Sequence, residues 1–163
     1  MRDGATTLPR TLAELGFLRV AVVSPELQVA DVEFNAARIE EAIAAAAGAG
    51  AVVVAFPELS LTAYSCADLF RQPTLLDAAG HAATALAAAH PDRIVVVGLP
   101  VVNRDRLYNC AAVLAGGVVA GLVPKQYLPN RQEFYEDRWF TRADGSRTYG
   151  ASLPSARVNQ RSS

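Results

Sequence analysis

The chain has 163 residues, 52% hydrophobic and 19% charged, which fits one globular domain with a single core rather than a disordered chain. Fifteen basic and sixteen acidic residues leave a formal net charge of −1, so no charge excess calls for nucleic acid or an anionic membrane. The two cysteines, Cys66 and Cys110, are too few for a disulfide framework and lack metal-ligand spacing, which fits a reducing, cytoplasmic setting.

In chain order, residues 1–16 read as a lead-in without the charged-then-apolar order of a secretory signal. No apolar run reaches the ~18 residues of a membrane helix. Leu18-Arg-Val-Ala-Val-Val23, closed by Ser24-Pro25, has the β-branched character of a buried strand. Asp31 is placed to cap a helix whose Val32, Ala36, Ile39 and Ile43 fall on one face. Gly48 and Gly50 stop it, and Ala51–Phe56 follows as a second buried strand. A strand–helix–strand unit with two apolar strands predicts parallel pairing. Residues 74–90 predict an alanine-rich helix broken at His90-Pro91, and Ile94–Val97 a third buried strand. Leu107–Leu114 and Val118–Val123 flank Ala115-Gly116-Gly117, which is hairpin chemistry. The fold class expected is α/β: a mixed sheet with helices on at least one face. From about Gly145 the chain loses all periodicity and reads as an irregular or disordered tail.

Two segments place chemistry at strand ends. Phe56-Pro57-Glu58-Leu59 sets a carboxylate just after an apolar strand, where open α/β sheets build their sites and where partial burial suits a general base. Val123-Pro124-Lys125-Gln126 sets a lysine at the end of another strand; pointing inward beside Glu58, its ammonium could stabilise an oxyanion. Glu133-Phe134-Tyr135-Glu136-Asp137-Arg138 reads on its own as a helix surface. His81 and His90 lack metal-ligand partners, no metal site is expected, and Cys66 and Cys110 read as core. Gly48-Ala-Gly50 precedes a strand and is no dinucleotide fingerprint.

Together, FPELSLTAYS, LYNCAAVL and VPKQYLPN..EFYE.RWF resemble the nitrilase, or carbon–nitrogen hydrolase, superfamily over residues 17–145. Within it they are most similar to the N-terminal glutamine-amidase domains of glutamine-dependent NAD synthetases. The resemblance implies an α-β-β-α sandwich of which this chain holds the N-terminal half, residues 17–145, with 1–16 as lead-in and 146–163 as tail. It implies Glu58 as general base, Lys125 as catalytic lysine and Tyr64 as a wall of the glutamine pocket. Glu133 and Glu136 both remain open as the supporting carboxylate. The implied reaction is attack of a cysteine thiolate on the glutamine side-chain amide, releasing ammonia and leaving a thioester that water hydrolyses.

Departures accompany it. The family's nucleophile lies in a Cys-Glu-Asp segment beyond the lysine, and no such segment occurs here. Ala63 stands where a glycine is expected before Tyr64, and Arg131-Gln132 where a tyrosine is expected first. The expectation is therefore a truncated or frameshifted amidase fragment, inactive alone. No cofactor is expected in this chain; ATP and nicotinate adenine dinucleotide would bind a synthetase domain that is not present. The partners expected are glutamine or another small amide, and either further copies of the chain or the rest of the enzyme. The alternatives are a non-catalytic binding module and a stand-alone relative acting on another amide or nitrile. Sheet surface rich in Val, Ile and Ala is expected to lie uncovered, with poor solubility or a molten state as the result.

Overall fold

The computed structural model describes residues 12–144. The irregular tail and most of the lead-in lie outside them. The elements are β1 (Val20–Val22), α1 (Val32–Gly48), β2 (Val53–Ala55), α2 (Pro73–Ala89), β3 (Ile94–Asn103), β4 (Arg106–Ala115) and β5 (Val118–Pro124). Two 3-10 turns, Ala67–Arg71 and Glu136–Arg138, complete the set among the described residues. The five strands form one sheet in sequence order. The first three are parallel, and the last two are added antiparallel as a hairpin. Among the described residues, no helix is long and apolar enough to cross a membrane.

Local chemistry accounts for the elements. The Asp31 carboxylate accepts the Phe34 amide at 3.0 Å and caps α1, which buries Val32, Ile39, Ile43 and Ala46. Pro73 opens α2, and its buried Leu75, Ala79, Ala83 and Leu86 lie on one stripe. Gly116 and Gly117, with φ of 61° and 81°, supply the two left-handed residues that a tight hairpin requires. Both helices join one core with the sheet face that carries Val54, Val95, Val97, Leu99, Ala112 and Leu114.

The opposite face carries Val20, Val22, Ile94 and Val123, all exposed, in line with the uncovered apolar surface expected. This corrects the reading of residues 18–23 as a buried strand. β1 is a three-residue edge strand bonded to β2 alone, and its outward Val22 is 83% exposed. A β-branched run registers strand propensity; it does not reveal whether a second layer covers the outer face. The segment 133–138 also differs from expectation: it is no helix surface but a loop ending in a single 3-10 turn, with Glu136 buried.

β3 outruns β2 by seven residues, and the chain after β2 fills the gap. The Gly98 amide donates to Ser60 Oγ at 3.0 Å, and the Gly98 carbonyl accepts the Leu61 amide at 3.0 Å. The loop carrying Glu58 lies so close on β3 that a Cβ at Gly98 would stand 2.7 Å from the Pro57 carbonyl oxygen. Gly98→Ala is therefore expected to cost about 1–3 kcal/mol by forcing the loop outward. A denaturant midpoint equal to that of the unsubstituted chain would show that the loop is not seated there.

Candidate active site

The loop from Pro57 to Tyr64 is fastened on three sides. Besides its bonds to β3, Asn35 of α1 donates from Nδ2 to the Leu61 carbonyl at 3.2 Å. Asn35 also exchanges bonds with the backbone of Gln28, and the Ala30 amide donates to the Thr62 carbonyl at 2.9 Å. This buried asparagine went unnoticed beside the apolar face of α1; a polar residue one position from an apolar ridge was its only signal. Leu59, fully buried, has φ of 53°, so the residue after Glu58 holds a left-handed conformation costly for leucine.

Lys125 follows β5 directly, and its amide donates to the Asn109 carbonyl at 2.8 Å, continuing the pairing with β4. Its Nζ donates to Glu58 Oε2 at 2.7 Å and to Glu136 Oε1 at 2.9 Å. Tyr64 donates its hydroxyl to the same Glu136 oxygen at 2.6 Å. Asn109 Nδ2 donates to Glu58 Oε2 at 3.2 Å. Glu58, Lys125 and Tyr64 thus meet in one cluster, and Glu136, not the exposed Glu133, is the second carboxylate in it. The Glu136 side chain is 2% exposed and that of Glu58 52%, so the two carboxylates differ sharply in their access to water.

Glu136 reaches the cluster because its segment is held against the body. Its amide donates to the Pro129 carbonyl, and its carbonyl accepts the Phe140 amide at 2.8 Å. Phe140 packs on the fully buried Phe70 at 5.0 Å between centroids, and Trp139 Nε1 donates to Asp68 Oδ1 at 3.0 Å. Phe134 meets the Tyr64 ring edge-on at 6.2 Å. Arg131 and Gln132 lie exposed on this segment.

Beside the cluster opens a cavity of about 400 Å³ with walls from Phe56, Val96, Ala111 and Val123. Lys125 is the only lysine of the chain against fourteen arginines. Its compact ammonium has three rotatable donors, two of which meet carboxylates. Burial works against the charge on Lys125. The hydrogen bonds and charges of Glu58 and Glu136 outweigh burial and hold its pKa above the ordinary value. Tyr64 is raised first by burial and then by the Glu136 carboxylate beside it.

Neither cysteine is poised for chemistry here. Cys66 is buried with its thiol on the Thr62 carbonyl at 2.9 Å, and burial pushes that thiol up. Cys110 pairs with Leu99 and Pro124, so its side chain takes the helix-covered face, opposite to Asn109 and Lys125. Burial pushes it up to about 12. Among the described residues, no group of three His, Cys, Asp or Glu side chains could hold a metal ion.

Residues 19–156 match the carbon–nitrogen hydrolase family. The chain is 41% identical over 134 residues to the glutamine-dependent NAD(+) synthetase of Mycobacterium tuberculosis, covering 81% of this chain and 20% of that protein. The crystal structure of a glutamine-dependent NAD(+) synthetase from Cytophaga hutchinsonii superposes with a TM-score of 0.77 at 32% identity, over 80% of this chain and 22% of that one. An amidase from Nesterenkonia shares the fold, with a TM-score of 0.68 at 22% identity over 78% of this chain and 48% of that one. The chain spans about a fifth of the length of the curated relatives it matches. It belongs to the carbon–nitrogen hydrolase family and is homologous to the N-terminal amidase domain of glutamine-dependent NAD(+) synthetases.

Ala63, where the family pattern suggests glycine, has φ of 63°. Ala63→Gly is expected to be neutral or to stabilise by up to ~1 kcal/mol, because glycine adopts this region freely. The same exchange at Ala79, inside α2, should cost about 1 kcal/mol or more. Equal losses at the two positions in denaturant titrations would refute the strained assignment. Lys125 and Tyr64 both bind their protons more tightly in the folded state. The stability they add is whole below their ordinary values of 10.5 and 10.0 and fades as pH rises through the folded ones. Melting temperature should thus fall above about pH 10, and by less in Glu136→Gln, where the shared carboxylate is gone.

Proposed function

We propose that this chain is the part of a glutamine amidohydrolase site that supplies base, ammonium and pocket wall, in a domain that delivers ammonia for NAD(+) synthesis. The single observation that supports this most is Lys125 Nζ bridging Glu58 and Glu136 at 2.7 and 2.9 Å beside an open cavity. Two of the ammonium's three protons are committed to carboxylates, and the third is free for the oxygen of an amide under attack. Glu58 Oε2 is engaged by Lys125 and Asn109, which leaves Oε1 as the proton acceptor. Glu58 would take the proton of the attacking thiol, pass it to the departing ammonia, and then deprotonate the water that cleaves the thioester. Glu136 keeps the ammonium charged and in place, and Tyr64 holds Glu136 through its hydroxyl.

The thiol itself is not one of this chain's two cysteines. Cys66 is committed to a backbone carbonyl and Cys110 faces the core. Alone, the chain is a non-hydrolysing binder of small amides. Purified protein is expected to release no ammonia from glutamine above background. A related cysteine-bearing remainder of the domain added in trans should give release that Glu58→Ala and Lys125→Ala each abolish. Activity of the chain by itself, lost in both variants, would reverse the conclusion about the cysteines. Complemented activity that survives both variants would remove Glu58 and Lys125 from the reaction.

A further inference from the structure

Asn109 is a polar side chain inside β4, 3% exposed, and after Arg106 at the strand's start it is the only residue of β4 that is neither apolar nor tyrosine. Burying an amide there is unfavourable unless its hydrogen bonds are made. Its side-chain nitrogen is spent on Glu58 Oε2 at 3.2 Å, and its carbonyl accepts the Lys125 amide at 2.8 Å. One residue therefore touches both members of the ion pair, the carboxylate through its side chain and the lysine through its main chain.

Glu58 needs such a hold more than its partners do. Its side chain is 52% exposed, against 22% for Lys125 and 2% for Glu136, so packing leaves it the freest of the three. A half-exposed ion pair on its own fixes geometry poorly, because solvent competes and the side chain keeps its rotamers. Asn109 adds a second donor to the oxygen already facing Lys125, and a carboxylate pinned at one oxygen by donors from two directions cannot swing away.

We propose that Asn109 is a positioning residue of the site: its amide clamps Glu58 Oε2 against Lys125 and so leaves Oε1 as the oxygen that faces the cavity. This rests on Glu58 and Lys125 forming the reactive pair, but its test does not depend on turnover. Lys125 is the sole lysine, so amine acylation reports on it directly, with the N-terminal amine as internal reference.

The experiment measures Lys125 acetylation by acetic anhydride across pH in the full chain, read by peptide mass spectrometry. The forms compared are unsubstituted, Asn109→Leu and Glu58→Gln. Loss of the clamp frees Glu58, so Asn109→Leu should acetylate severalfold faster at a given pH and approach Glu58→Gln. The carbon-13 shift of labelled Tyr64 at neutral pH should hardly move, because Tyr64 is bonded to Glu136 and the charge of Glu58 is the smallest influence on it. Asn109→Ser, polar but too short to reach Glu58, should behave like the leucine variant and serves if the latter does not fold. Acetylation unchanged in a folded Asn109 variant while Glu58→Gln accelerates it would overturn the proposal. So would a shift of Tyr64 in step with Lys125, which would mark a general loosening of the site. Failure of glutamine hydrolysis would instead strike the proposed function and leave these rates untouched.

Discussion

The carboxylate of Glu136 is almost wholly withdrawn from water, and the ammonium of Lys125 lies 2.9 Å from it. Taking away one partner of a buried pair strands the other charge at a cost of about 3–5 kcal/mol, so each fixes the other's place. From that pair the rest of the site follows. Lys125 must emerge where β5 ends, the chain after it must turn back to deliver Glu136, and Tyr64 must rise from the opposite loop to satisfy the shared oxygen. Glu58 joins from the end of β2 as the more exposed carboxylate of the two.

The contact also explains the design of the segment between β5 and residue 140. It makes few regular bonds of its own, yet it is anchored by Phe140 on Phe70, Trp139 on Asp68 and Phe134 on Tyr64. Aromatic anchors substitute for secondary structure, trading local regularity for a fixed approach of one side chain. All three dock near the loop after β2, so the two irregular stretches of the fold support each other at the carboxyl ends of the parallel strands.

Much of this was legible in the residues. The period of Val32, Ile39 and Ile43 gave α1, the diglycine gave the hairpin, and the motifs around Glu58 and Lys125 gave the family. Glu133 and Glu136 could not be separated, because an acidic, aromatic-rich stretch has no period that says which carboxylate turns inward. Asn35 and Asn109 stayed hidden for a related reason. A buried amide is recognised by its partners, and the loop residues these two hold, Leu61 and Glu58, lie 26 and 51 residues away in sequence. β1 misled because strand propensity does not depend on whether a second layer covers the outer face.

The bonds from Ser60 and Leu61 to Gly98 have a meaning beyond placing Glu58. β2 ends at Ala55, while β3 runs on to Asn103, so part of β3 would otherwise present an unpaired margin to solvent. Such margins recruit strands from neighbouring molecules and seed aggregates. The loop that carries the proposed base is also the stopper on that margin, held by a serine hydroxyl and one backbone amide. Mobility of Glu58 and colloidal solubility are therefore coupled in this fold. A sequence drifting toward a looser loop would be removed by precipitation even where no selection acted on its chemistry.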